Sequence, residues 1–365
     1  MALSFKRAVL FRNLVFSVSY LFGVYLISTT LVSANTNDNS QKDISEQINA
    51  RHNQGSQPQL ITRIDPRYPA NEARANLQGW GEFFIIIDEK GKVDDVFLLR
   101  SSGRKGFDNS TRKALRKWKY EALPKGEKRT RSNKLQIDFS LANLNRGLSS
   151  DFNKAYADIN TLIKAGNYTE ALQQSNKALK DRNYHQNELT LVNSLIAKLY
   201  QQLEQPYQSA LAYENVMSWR HTSDIKPDFF VTHARQLLPL YISINQFKKA
   251  QELYEWIALE SPELASDLQN SMEQVNAMND AQEAIVNSVF IFERELTYHS
   301  LFRSTFTVQN VEGDIDELRL LCHQHTQLLE LNTSYVTEPT WGKCYVLAEG
   351  DAGTSLQIIE SQPST

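Results

Sequence analysis

Residues 79–100 read Gly79-Trp80-Gly81-Glu82-Phe83-Phe84-Ile85-Ile86-Ile87-Asp88-Glu89-Lys90-Gly91-Lys92-Val93-Asp94-Asp95-Val96-Phe97-Leu98-Leu99-Arg100, and the fold of the first part of the chain turns on them. Glu82 to Ile87 is dense in branched and aromatic side chains, which pack well on a pleated surface. Asp88-Glu89-Lys90-Gly91 supplies turn chemistry, and Lys92 to Arg100 alternates as a second strand, so the stretch predicts a β-hairpin. Gly79 and Gly81 give the backbone freedom that the turn into the first strand needs.

Working outward, Ala70 to Leu77 has helical character, and Ser101-Ser102-Gly103 breaks the hairpin. Phe107 and Asp108 open a helix expected to run to about Tyr120, with Thr111, Ala114, Leu115 and Trp118 on the face toward the sheet. Arg112, Lys113, Arg116, Lys117 and Lys119 form a basic patch, read either as a solvated helix face or as a contact for an anionic surface. Lys134 to Leu141 alternates as a third strand. The expected unit, residues 59–141, is therefore a three-stranded sheet with one packed helix.

This unit resembles the TonB C-terminal domain family. Arg67-Tyr68-Pro69 looks like the family's opening Y-P, and Gly79 to Phe83 with Gly91 to Val96 looks like its first hairpin. Ser101-Ser102-Gly103 with Phe107-Asp108 looks like the entry to its helix, and Ala114, Arg116, Trp118 and Tyr120 resemble its A-x-R-x-W-x-Y signature. The resemblance implies a domain that binds a short extended segment of an outer-membrane TonB-dependent transporter, or another TonB-system protein, and transmits force from an inner-membrane motor. An open sheet edge can accept a foreign strand through main-chain hydrogen bonds. The expected partner-binding residues are Arg67, Tyr68 and Pro69 with Asn133, Lys134, Leu135, Gln136, Ile137, Asp138 and Phe139 of the candidate edge strand. Gly79, Gly81, Gly91, Trp118 and Tyr120 are read as structural.

The chain also departs from that family. It lacks the long proline-rich spacer, its N-terminal apolar segment holds no histidine of the kind transducing members use for motor coupling, and more than 200 residues follow the unit. These departures keep a second reading open: a periplasmic scaffold or cell-wall-associated protein with a TonB-like docking module and no part in energy transduction. A third is an anchored transducer that works within a larger complex.

The first 34 residues have the layout of an export signal. Lys6, Arg7 and Arg12 precede an apolar run from Leu14 to Val32, which ends in Val32-Ser33-Ala34. Cleavage near Ala34 would release the chain into the periplasm, whereas an uncleaved segment 14–32 would hold it at the inner membrane. Residues 35–58, rich in Asn, Gln, Ser and Asp, read as a flexible linker.

Residues 147–288 are expected to be all-α. Gly166-Asn167-Tyr168-Thr169-Glu170-Ala171-Leu172, Gln205-Pro206-Tyr207-Gln208-Ser209-Ala210-Leu211 and Asn245-Gln246-Phe247-Lys248-Lys249-Ala250-Gln251 recur at a period of about 39 to 40 residues. An aromatic followed three residues later by alanine resembles tetratricopeptide helix pairs, which implies a surface for a protein or peptide ligand. Residues 289–361 turn to alternation, with strands expected at 289–296, 303–308, 318–322, 327–331, 343–347 and 354–359. The fold class expected for the whole chain is α+β.

Hydrophobic residues make up 41% and charged residues 22%, which excludes a disordered chain and a multi-span membrane protein. Basic and acidic side chains number 5 and 3 in residues 1–58, 18 and 11 in 59–140, and 16 and 28 in 141–365. A basic module thus adjoins an acidic one, which implies separate partners or mutual docking. The two cysteines, Cys322 and Cys344, are expected to form a disulfide outside the cytoplasm, worth about 3 kcal/mol on the chain-entropy account. Cys322-His323-Gln324-His325 read as a metal site is the weaker alternative, lacking a second ligand cluster. With no G-x-S-x-G, H-E-x-x-H or phosphate-binding glycine loop, the chain is expected to be no enzyme, to take no cofactor or metal, and to bind no nucleic acid.

Overall fold

The computed structural model describes residues 58–126, 129–132, 134–140, 147–180, 184–220, 225–292 and 296–362. The described residues belong to a single compact body. The expected export segment and nearly all of the expected linker lie outside the described residues, as does Asn133. Among the described residues the fold is α+β, with nine helices and several antiparallel sheets.

The first sheet is built on β2 (Gly79–Asp88), after β1 (Leu60–Thr62) and the short α1 (Ala70–Arg74). β2 pairs with β3 (Val93–Ser101) on one side, with Phe84 opposite Phe97 and Glu82 opposite Arg100. On its other side it pairs with β5 (Arg129–Arg131) and β6 (Leu135–Phe139). The hairpin turn is held by Asp88 Oδ1, which accepts from the N–H groups of Lys90 and Lys92 at 2.9 and 2.8 Å. Gly91 has φ +76°, and a Cβ there would lie 2.0 Å from the Tyr120 carbonyl oxygen, so only glycine fits.

Three local expectations are corrected. The expected helix to Tyr120 is α2, Lys105–Leu115, because the chain then turns back: the N–H of Trp118 bonds to the carbonyl of Leu115 and that of Tyr120 to the carbonyl of Gly91. Lys119–Tyr120 is instead the short strand β4, paired with β1. The expected helix over 70–77 ends at Arg74, and Asn76 takes a positive φ of 51°. The third strand expected over 134–141 is β6, Leu135–Phe139, and it is preceded by β5, which was not foreseen; between the two, the Ser132 N–H donates to the Ile85 carbonyl and its Oγ accepts from the Ile85 N–H.

Both faces of β2 are buried, which explains its unbroken apolar run. Phe83, Ile85 and Ile87 face α2, packing with Phe107, Leu115 and Trp118. Phe84 and Ile86, joined by Phe97 and Leu99 of β3, pack instead against Leu321, Tyr345 and Leu347 of the C-terminal segment.

That segment is a β-sandwich: β11 (Thr326–Leu328), β10 (Ile315–Cys322), β13 (Cys344–Gly350) and β8 (Leu296–Ser300) form one sheet. Strands β12 (Ser334–Val336), β9 (Thr305–Glu312), β14 (Ser355–Ser361) and β7 (Ile285–Phe290) form the other. The expected strand over 289–296 is thereby corrected to the end of β7 and the start of β8, and β12 was not foreseen. Leu318, Leu320, Val346, Phe306 and Ile358 fill the space between the sheets. The body is thus layered as helix, sheet, sheet, sheet, with β2 and β13 covered on both faces.

Cys322 and Cys344 are an in-register pair of β10 and β13 with Cα atoms 4.0 Å apart, and they form a disulfide. That overturns the alternative metal reading of Cys322-His323-Gln324-His325, since a bridged sulfur offers no thiolate. His325 instead stacks on Trp341, with ring centroids 3.8 Å apart.

The first sheet is clamped to the sandwich beside this disulfide. The Arg131 N–H bonds to the His323 carbonyl at 2.9 Å, Thr130 Oγ1 donates to the same oxygen, and Arg131 Nη2 donates to the Lys343 carbonyl at 3.0 Å. The Arg131 guanidinium lies over the rings of Phe84 and Tyr345, at 4.3 and 4.6 Å. His323 is buried, and neither ring nitrogen has a partner among the described residues. Burial, then Arg131 and Lys343, push its pKa down from 6.5 to about 3. The unfolded chain therefore takes up a proton below pH 6.5 that the folded one refuses until about pH 3, so stability falls with pH across that window. His323→Asn is expected to flatten that part of the pH profile, checked by urea unfolding from pH 7 to 4; an unchanged slope would remove His323 as its source.

Seven helices complete the body: α3 (Ser150–Lys164), α4 (Tyr168–Leu179), α5 (Gln186–Gln202), α6 (Pro206–Met217), α7 (Pro227–Ser243), α8 (Phe247–Glu260) and α9 (Pro262–Ala277). Consecutive helices pack as hairpins, and the three recurring stretches mark equivalent turns, where Gly166, Glu204 and Asn245 take positive φ values of 78°, 56° and 60°. Behind each turn Ala171, Ala210 or Ala250 is fully or nearly fully buried, which allows close helix approach. Trp80 of β2 leaves its own sheet and enters the helical core edge-on to Trp219, at 6.4 Å.

Candidate functional site

β6 is the edge of the first sheet: it pairs with β2, and no strand lies on its outer side among the described residues. Leu135, Ile137 and Phe139 pack on the α2 side. Gln136 and Asp138 point the other way, where Gln136 Nε2 donates to Asp138 Oδ1 and to the Ser218 carbonyl at the end of α6, both at 2.8 Å. Lys134, just before the strand, is exposed.

The other expected site residues fall in two places. Tyr68 is part of the core beneath the edge: its hydroxyl donates to the Leu77 carbonyl, and its ring meets Phe107 and Phe139 edge-on at 5.5 and 5.6 Å. Arg67 and Pro69 line a groove of about 550 Å³ with Lys113 and Lys117 of the basic patch. Arg116, Lys117 and Lys119 are exposed, as is Lys113, whereas Arg112 is half-buried. The structure therefore brings Arg67 to Pro69 against α2, and only Tyr68 among them touches the edge strand.

Beneath the sheet lies a chain of buried charges that the sequence reading missed. Arg100 makes two bonds to the Glu82 carboxylate, both 3.1 Å, and one to Glu214 at 2.7 Å. Glu214 Oε1 in turn accepts from Lys249 Nζ at 2.8 Å and the Tyr241 hydroxyl at 2.9 Å. Two residues of the first sheet are thus bonded to three of the helical segment. Burial alone would raise the Glu82 carboxyl, but Arg100 and Lys134 outweigh it and hold the pKa at about 2. Glu214 is likewise lowered, burial being overcome by Lys249 and Arg100. The one available signal was Glu82 itself, a lone acid inside an apolar strand, directly across from Arg100.

These charges floor a cavity of about 310 Å³. Its exposed or partly exposed lining includes Lys134 and Gln136 at β6 together with Arg220, Glu252 and Trp256.

The family model of the Gram-negative bacterial TonB protein C-terminal matches residues 64–141, which contain the hairpin, α2 and the open edge strand. Residues 64–141 are a TonB C-terminal domain. Protein TonB of Yersinia enterocolitica is 30% identical over 66 residues, 18% of this chain and 26% of that protein. Protein TonB of Xanthomonas campestris pv. campestris is 31% identical over 77 residues, 21% of this chain and 34% of that protein. The chain therefore spans about a quarter to a third of the length of these relatives. The solution NMR structure of the Pseudomonas aeruginosa TonB C-terminal domain is 23% identical, covering 24% of this chain and 91% of that one, with a TM-score of 0.22. The matched segment ends just after β6, so α3 to α9 and the sandwich, which cover the second sheet face of the TonB C-terminal domain, lie outside it. Among the described residues no helix is long and apolar enough to cross a membrane.

Proposed function

We propose that this chain is a periplasmic, non-enzymatic protein of TonB-dependent transmembrane transport. Its TonB C-terminal domain takes an extended segment of an outer-membrane transporter, or of another TonB-system protein, as an added strand. The helical hairpins within residues 147–288 recruit a further protein, and residues 289–361 brace the TonB C-terminal domain from behind. The observation that carries the reading is the open outer side of β6 in a domain of this family, since unpaired main-chain groups on an edge are the chemical requirement for strand addition.

The test uses proline. Successive N–H groups of an antiparallel strand point to opposite sides, so of Gln136→Pro and Ile137→Pro one breaks the ladder to β2 and the other removes only an outward donor. The variant that keeps its fold is expected to bind N-terminal peptides of the cell's outer-membrane transporters at least about tenfold more weakly than the parent full chain. Unchanged binding by that variant would exclude β6 as the receiving edge.

A second reading, a periplasmic scaffold with a TonB-type docking module and no role in energy transfer, is favoured by one observation. The second face of the first sheet is buried in a larger body, which ties the module to its neighbours and not to a free tether. Absence of any transporter-peptide binding by the full chain would select this reading.

A further inference from the structure

A larger cleft, of about 510 Å³, lies where the three segments of the body meet. The first sheet lines it with Trp80 and residues 99–103, and the sandwich with Phe290, Phe292 and residues 296–298. The helices add Asn176 on α4, Asn193 and Tyr200 on α5, and Tyr207, Gln208 and Asn215 on α6.

The charged lining, Arg100, Glu214 and Lys249, is bonded to itself: Glu214 accepts from Arg100 at 2.7 Å and from Lys249 at 2.8 Å. What the cleft offers instead is amides. Asn176, Gln208 and Asn215 are half-buried, and their side chains make no hydrogen bond among the described residues. Gln208 and Asn215 stand two helical turns apart, about 10 Å along α6, which is the length of a disaccharide. Trp80, 1% exposed, adds a buried indole N–H with no acceptor among the described residues. Apolar contact comes from rings: Phe292 is 41% exposed, with centroids 5.8 Å from Tyr207 and 5.7 Å from Phe290.

Half-buried amides without protein partners call for water or a ligand to satisfy them. Rings interleaved with amides suit a neutral ligand whose C–H groups lie against the negative ring faces while its hydroxyl and carbonyl groups meet the amides. A pyranose chain has that make-up. An extended peptide fits less well, because its main-chain groups recur at strand spacing and are best met by a sheet edge, whereas here the polar groups are side chains. Trp80 shares the cleft wall with Leu189 and Ile196. A lone donor among aliphatic side chains matches an acetamido group, which brings a carbonyl acceptor and a methyl together.

We propose that this cleft binds a glycan of two or more N-acetylhexosamine units, with sugar faces on Tyr207 and Phe292 and polar groups bonded to Asn176, Gln208 and Asn215. Trp80 belongs to the TonB C-terminal domain and the amides to the helices that follow it, so the site exists only in the assembled chain. No residue of β6 lines the cleft, and glycan binding therefore does not depend on strand addition.

The test is isothermal titration of the full chain with tetra-N-acetylchitotetraose and with cellotetraose, which has the same linkage and a hydroxyl in place of each acetamido group. The acetamido tetramer should saturate the chain, and cellotetraose should bind at least about tenfold more weakly. Gln208→Ala with Asn215→Ala should weaken the tetramer about tenfold at an unchanged unfolding midpoint, since alanine favours the helix. Trp80→Phe keeps a ring but deletes the N–H, and should narrow the gap between the two sugars. Pelleting with purified peptidoglycan, added to tetramer binding, supports the site and makes the cell-wall polymer its source; tetramer binding alone supports it with a free oligosaccharide as source. No saturable binding of the tetramer by the folded parent chain, or binding that the α6 double variant leaves unchanged, would overturn the glycan site. Equal affinity for cellotetraose would overturn the acetamido selection. Binding of the neutral peptide acetyl-Ser-Phe-Thr-Asn-Val-Ser-amide in place of the sugar would also overturn it and make the cleft a peptide site.

Discussion

Phe84→Ala in the full chain is expected to lower the unfolding free energy by about 3–5 kcal/mol, a large share of the ~5–15 kcal/mol typical of a folded protein. The reason is the layer it occupies. Phe84 is fully buried, with its ring 4.8 Å from Tyr345 and 6.2 Å from Tyr298 and the Arg131 guanidinium over its face. Truncation leaves a void between two sheets and removes the cation's aromatic partner at once. Urea unfolding checks the magnitude. The same layer predicts that residues 59–140 expressed alone will self-associate, because Phe84, Ile86, Phe97 and Leu99 would become a contiguous apolar face. Replacing Phe84, Phe97 and Leu99 by serine should restore a monomer, read by light scattering. A monomeric, folded fragment with Phe84 intact would show that the sandwich is dispensable to the TonB C-terminal domain.

How much of this was legible in the sequence depends on the range of the interaction. The hairpin was legible, because its turn residues and alternation are local, and so was the disulfide, because two cysteines leave one pairing. The three helix-pair turns were legible because the stretches at 166–172, 205–211 and 245–251 each place a small or polar turn before an aromatic and, three residues on, an alanine that is buried in the structure. The run Phe83-Phe84-Ile85-Ile86-Ile87 also contained the layering: a strand with one wet face alternates, and this one does not. What it could not say was which segment covers the second face. That cover comes from Leu321, Tyr345 and Leu347, more than 200 residues away, and local periodicity carries no information on such a pairing.

The candidate site divides the same way. Lys134 to Phe139 could be nominated as an edge because it is the last strand of its unit, and it is one. Arg67 to Pro69 could be nominated only by resemblance, and the structure puts Tyr68 in the core and Arg67 in a groove along α2 that shares no lining residue with the cavity. Glu214 and Lys249 were invisible: each sits on a helix where a charge is ordinary, and they matter because Arg100 of the first sheet pairs with Glu214, which Lys249 shares. The charge difference between residues 59–140 and 141–365 left separate partners and mutual docking both open, and the docking is settled by a few specific contacts and not by bulk attraction.

Glu214→Ala is expected to be the most damaging single change at that junction, about 3–5 kcal/mol, because it strips the shared counter-charge from both Arg100 and Lys249 while they stay buried. Glu214→Ala with Lys249→Met should recover part of the loss, since it removes one orphaned cation, and a double-mutant cycle measures the coupling directly. Acid should act on the same chain through Glu82. Its folded pKa is about 2 against an ordinary 4.5, so its contribution is complete above about pH 4.5 and disappears as pH falls toward 2. Glu82→Gln should therefore remove stability at neutral pH and flatten the acid limb below pH 4.5. Near-ultraviolet circular dichroism from the Trp80–Trp219 pair, one ring on each side of the junction, reports whether the helices separate from the sheet before the rest unfolds. If the Trp signal and the global transition coincide in Glu214→Ala, the body is one cooperative unit, and a pull on a strand held at β6 would be carried through the Glu82–Arg100–Glu214 chain into the helices. If the Trp signal is lost first, the junction is the weakest seam, and the same pull would open it.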